Sequence, residues 1–120
     1  MSIFFGGGTS WLALSQSDCE RTARDKRLPG LMRLRAAAEW KCNRIGHAEF
    51  HRGELAQVLA TDKGPLAASR VANLVKQGRD LDIIGQESTA NCLVLPHWVA
   101  QKDGRGTSAC SVHGVRRRAA

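Results

Sequence analysis

Four side chains in the C-terminal third could hold a metal ion: Cys92, His97, Cys110 and His113, spaced C-x4-H-x12-C-x2-H. Zinc takes four nitrogen or sulfur donors at tetrahedral corners, and structural sites often join a close pair on one turn to a pair brought from elsewhere. Cys110 and His113 form such a close pair, and Gly104, Gly106 and Ser108 let the segment 101–109 return toward Cys92. A bound metal would also order a tail that has few apolar residues after Val99. The competing reading is plain: Cys92 is a small buried strand residue, His113 is solvated, and the spacing is not that of a C2H2 finger. His47 or Cys42 could replace His97 as the fourth ligand, Cys42 less well because it lies on an apolar helical stripe. One structural zinc is the only cofactor these residues imply.

A second set suits recognition rather than catalysis. Ser69, Arg70, Asn73, Lys76 and Gln77 fall on one face of a helical repeat whose other face carries Ala67, Val71, Leu74 and Val75. A helix entering the major groove needs an apolar back and a front of hydrogen-bonding side chains. Asn and Gln can pair bidentately with adenine and Arg with guanine, whereas Ser69 and Lys76 suit phosphates. The bland alternative is that any amphipathic surface helix is polar outside. Enzymatic readings find less to stand on. Cys110 and His113 lack a neighbouring Asp or Asn to orient the imidazole. The chain has no H-E-x-x-H and no paired carboxylates, and Gly6-Gly7-Gly8-Thr9-Ser10 lacks the lysine of a Walker loop. The chain is expected not to be an enzyme.

Charge supports a polyanionic partner. Eighteen Lys and Arg face eleven Asp and Glu, net +7, in a chain of 120 residues, and the excess is spread over both halves. This length fits one domain. No apolar run approaches a membrane span and the start MSIFFGGG lacks the basic region of a signal peptide, so the expected location is the cytoplasm, of a bacterium or a phage-infected host. In that compartment the four cysteines stay reduced.

The elements that must position these residues follow from periodicity and punctuation. Ser17-Asp18-Cys19-Glu20 has the form of a capping box and predicts a short helix before Pro29-Gly30. Leu31, Leu34, Ala38, Cys42 and Ile45 make one helical stripe stopped by Gly46, with Arg33, Lys41 and Arg44 on another face. His47–Phe50 reads as a small strand, Glu54–Ala60 as a two-turn helix and Thr61–Gly64 as a turn. Pro65–Gln77 reads as a third helix ended by Gly78. Leu81–Ile84 and Asn91–Leu95 then predict a β-hairpin around the tip Gly85–Ala90, ended by Pro96.

Helix, strand, helix, turn, helix, hairpin is the order of a winged helix-turn-helix. Residues 50–96, with the phrases GHAEFHRGELAQVL and ESTANCLVLP, resemble the winged helix-turn-helix domains of small bacterial transcription regulators, and more narrowly short helix-turn-helix proteins of actinobacteria and their phages. The expected fold class is α+β, mainly α: a three-helix core with a small β-hairpin wing over 28–99, preceded by a segment 1–27 with a short strand and short helix. A flexible or metal-tethered basic tail over 100–120 follows. The resemblance implies that 65–77 is the recognition helix and 86–91 the wing, although the wing tip carries no Arg or Lys. The implied function is sequence-specific duplex DNA binding in transcriptional regulation. Arg33, Lys41, Arg44, Arg52, Lys63 and Arg70 are available to phosphates, Thr89 is a hydroxyl contact from the wing alongside Ser88, and Arg116–Arg118 add salt-sensitive affinity. A homodimer is expected because one helix reads few base pairs. The competing class is a phage-type or regulatory adaptor that uses the same frame against an acidic host protein; no membrane partner is implied.

Overall fold

A computed structural model describes residues 15–43, 46–96 and, as backbone, 109–110 and 115–116. The elements are α1 (Gln16–Arg24), α2 (Gly30–Lys41), β1 (His47–Glu49), α3 (Glu54–Val58), α4 (Ala68–Asp80), β2 (Cys92–Val94), β3 (Ala109–Cys110) and β4 (Val115–Arg116). They form a small, mainly helical α+β domain. No helix among the described residues is long and apolar enough to cross a membrane.

The cap of α1 lies two residues before the expected box. The Ser15 hydroxyl accepts the Asp18 N–H at 3.4 Å, and Glu20 pairs instead with Arg24 at 3.1 Å. The inner face of α1, Cys19 and Ala23, is buried and α1 packs along α2. Leu34, Ala36, Ala37 and Ala38 are all buried, so α2 is covered on more than one side and its alanines let neighbours approach closely. It ends at Cys42 rather than reaching Gly46, because Asn43 turns the chain into β1: its N–H donates to the His47 carbonyl at 2.9 Å and its side-chain oxygen accepts the His47 N–H at 3.1 Å.

The connection from α3 to α4 is closed by reciprocal backbone bonds between Thr61 and Gly64, both 2.9 Å, with Asp62 and Lys63 at its tip. Gly64 has φ +108°, a conformation that L side chains avoid. Helix α4 starts three residues after Pro65 and runs through Gly78 to Asp80. That glycine does not stop the helix. A Cβ there would lie 3.1 Å from both Ile84 Cγ1 and Leu34 Cδ2, so its role is to let α4 pack against α2 and the chain that follows.

The expected hairpin does not form. Residues 81–84 are turn and bend, and β2 pairs antiparallel with β1 in the register His47↔Val94, Ala48↔Leu93, Glu49↔Cys92. The physical reason lies in the helix end: the N–H groups of Ile83 and Ile84 both point to the Gly78 carbonyl, at 2.8 and 3.2 Å, and Ile84 is fully buried in the core. The apolar run that read as a strand is spent on terminating α4. Loop residues take the place of that strand along β2. The Gly85 N–H donates to the Val94 carbonyl at 2.6 Å, the Val94 N–H donates to Ser88 Oγ at 2.9 Å, and Thr89 bridges Cys92.

Candidate nucleic-acid interface

Val71, Val75 and Gly78 of α4 are buried and Leu74 is half-buried, which orients the helix. Ser69, Arg70, Asn73, Lys76 and Gln77 are all left exposed, as the spacing predicted. Ala67, expected on the inner stripe, instead precedes the helix and is exposed.

The cations are sorted by partner. Arg21, Arg24, Lys26, Arg27, Arg35 and Lys41 each have a carboxylate within 4 Å, and Arg33 and Arg79 donate to backbone carbonyls. Among the described residues the side chains left with no such bond are Arg52, Lys63, Arg70 and Lys76. All four are exposed, and all lie between the turn before α3 and the third turn of α4. The acids in that stretch do not neutralise them: Glu54 is held by Lys41 at 2.6 Å and Asp62 lies 3.9 Å from Lys26.

Two basic residues expected to serve phosphates, Arg33 and Lys41, leave the set. Arg33 is only 4% exposed. Its guanidinium donates to the carbonyls of Ala23 at 2.9 Å, Val58 at 3.1 Å, Ala60 at 3.0 Å and, more weakly, Leu59 at 3.4 Å. A buried cation is tolerable where the fixed donors of the fork meet acceptors, and the ends of α1 and α3 supply them. The signal was its spacing, since 33 and 37 share a helical face and Ala37 is fully buried. Lys41 is taken by Glu54 and lies 4.9 Å from the Phe50 ring centroid. Burial works to raise the Glu54 carboxyl, but the bonds from Lys41 and the His51 N–H outweigh it and hold it below the usual carboxylate range. Arg44 lies outside the described residues.

Of the two wing hydroxyls, Ser88 is withdrawn by its full burial: besides accepting the Val94 N–H, its hydroxyl donates to the Val94 carbonyl at 3.3 Å. Thr89 is exposed, but its oxygen accepts the N–H groups of Asn91 and Cys92 at 3.3 and 3.2 Å, so it shapes the turn. The loop is further tied by Gln86, which donates to the Arg79 carbonyl at 2.6 Å.

Of the expected metal ligands, Cys92 is fully buried and clusters with Val94 apart from the main core; its sulfur lies 3.6 Å from His47 Nδ1. Cys110 lies in β3, while His97 and His113 are outside the described residues. Cys42, the weaker alternative, packs in the helical core. Among the described residues no three His, Cys, Asp or Glu gather as a metal site.

These observations define a small α+β domain that presents an exposed polar helix flanked by unpaired cations. The chain matches no protein-family model, no curated protein and no solved structure.

Proposed function

We propose that the protein is a winged helix-turn-helix DNA-binding domain that inserts α4 into the major groove of duplex DNA, as a transcription regulator of a bacterium or phage. The observation that carries this reading is the sorting of charge. Among the described residues, the exposed cations with neither a carboxylate nor a carbonyl partner lie on α4 and in the turns before α3 and α4, beside the exposed Asn73 and Gln77. Arg52, Lys63, Arg70 and Lys76 supply affinity through phosphates; Asn73 and Gln77 are suited to read base edges.

Four phosphate contacts give a slope of about −3.6 in log affinity against log salt, or roughly a hundredfold loss between 50 and 200 mM. Fluorescence anisotropy with a pool of random duplexes at two salt concentrations, followed by sequencing of the retained fraction, tests the proposal. Salt-steep binding with an enriched site is expected; no binding at low salt would overturn it.

A second reading, an adaptor that docks on an acidic host protein, is favoured by the loop at 85–91. That loop offers no cation and its Ser88 hydroxyl is turned inward, so it is poorly made for the minor groove. Protein captured from lysate after nuclease treatment, through the same Arg70 face, would support the adaptor.

A further inference from the structure

The segment that joins α4 to β2 carries little that could grip a nucleic-acid backbone. It has no Lys or Arg between Gly85 and Asn91 and no large apolar side chain, and most of its polar side chains are committed to the protein itself. The Gln86 amide donates to the Arg79 carbonyl at 2.6 Å and to Asp82 Oδ1 at 3.3 Å. The Ser88 hydroxyl is spent on both backbone groups of Val94, and the Thr89 oxygen accepts the N–H groups of Asn91 and Cys92. The charge this segment exposes is the carboxylate of Glu87. Arg79 braces it by donating to the Ser88 carbonyl at 3.1 Å, so the segment lies against the last turn of α4. That turn is acidic as well. On the outward face of α4 the row Arg70, Asn73, Gln77 is followed three residues on by the exposed Asp80, and Asp82, also exposed, follows at φ +57°. Neither Asp80 nor Asp82 forms an ion pair among the described residues.

We infer that the protein reads duplex DNA from the major groove alone: the turns of α4 from Ser69 to Gln77 enter it, while the acidic end of α4 and the loop at 85–91 stay clear of the minor groove and its phosphates. The inference rests on the DNA-binding reading and narrows it. The minor groove is narrow, concentrates negative potential, and is entered by cationic side chains or apolar wedges. The loop has neither, and Glu87 would be repelled there. The charge order along α4 fixes which end goes in. Lys63 before the helix and Arg70 and Lys76 on it meet phosphates, whereas the opposite docking would set Asp80 and Asp82 against them, a like-charge arrangement that suppresses the wrong orientation. Base-reading helices present their N-terminal residues in the same way. A loop without a cation, the feature that favours a protein partner, is thereby accounted for within DNA binding itself.

The test is fluorescence anisotropy of the full chain on its enriched duplex, with each groove perturbed in turn. A minor-groove-binding polyamide, saturating an A·T tract placed on either side of the site, should change the affinity by less than about twofold. Purine analogues that carry carbon in place of N7, and so lack an acceptor in the major groove, should weaken binding by at least about fivefold when placed within the site. Asn91→Ala, at an exposed loop position, should leave the affinity within about twofold. Glu87→Lys, checked for folding by circular dichroism, should leave the salt slope unchanged, whereas a loop seated at the backbone would steepen it by about 0.9. Displacement by the polyamide, a steeper slope in Glu87→Lys, or indifference to the N7 analogues would overturn the inference and leave DNA binding standing. Failure to bind any duplex at low salt would overturn both.

Discussion

Replacing Arg33 should unfold the protein far more readily than replacing any basic residue of α4. Its guanidinium holds four backbone carbonyls at the ends of α1 and α3, and truncation to Ala leaves buried acceptors without donors and a cavity beside Ala37. A hydrogen bond from a charged donor contributes about 1.5–3 kcal/mol. Because the four share one side chain they do not add, and orphaned buried carbonyls at about 1–3 kcal/mol each, taken as less than their sum, give an expected loss of about 3–5 kcal/mol. That is a large part of the roughly 5–15 kcal/mol available to a domain. Urea denaturation followed by circular dichroism reads the loss as a lower midpoint at nearly constant slope. Arg33→Met, which keeps volume and removes the donors, separates the two contributions and should recover only part of the loss. A shift below about 1 kcal/mol for Arg33→Ala, or full stability in Arg33→Met, would refute the reasoning. If Arg33 instead served phosphates, Arg33→Met would lower the salt slope of DNA binding; folded Arg33→Met is expected to leave it unchanged.

Other perturbations follow from the same contacts. Arg70→Ala should weaken duplex binding at every sequence and reduce the salt slope by about 1, while Asn73→Ala should change which site is enriched. The Glu54 carboxyl lies below its unfolded value, so the Lys41 pair stabilises the fold above about pH 4.3 and that contribution vanishes as pH falls through the lower folded value. Thermal melts from pH 7 to 3 should show a loss that Glu54→Gln lacks. Burial, then Glu39, Cys42 and Asp18, raise the Cys19 thiol, so it should react with a disulfide reagent only at the rate of unfolding; fast labelling at neutral pH would contradict this. Ser88→Ala should cost about 1–3 kcal/mol by orphaning the Val94 N–H, measurable in the same urea titrations.

Much of the helical part was legible in the sequence. The stripes of Leu34 with Ala38 and of Val71 with Val75 are core, and Ser69, Arg70, Asn73, Lys76 and Gln77 are exposed, because a 3.6-residue period reports directly which side of a helix is buried. What could not be read depended on where single polar groups found partners. Arg33 looked like a surface cation because no local pattern announces carbonyls from residues 23 and 58–60. Lys41 meets its carboxylate thirteen residues away. Leu81–Ile84 mimicked a strand because short apolar runs look alike whether they pair or close a helix, and only the Gly78 carbonyl distinguishes them. Ser88 looked like a loop-tip hydroxyl, yet it substitutes for a missing strand. His47 and Cys92 are far apart in the chain, so only the β1–β2 register brings their ring and sulfur together.

The manner in which β2 is finished has a further consequence for how the molecule behaves in a crowd. An exposed strand edge is a template on which another chain can add, the first step toward sheet-mediated aggregation. Here the outward N–H and carbonyl of Val94 are taken by Ser88 and Gly85, and those of Cys92 by Thr89. On β1, Asn43 takes both outward groups of His47. A sheet this small would be easily extended were its margins open. By ending it with side chains and loop backbone instead of a third strand, the chain leaves a partner little room to register alongside.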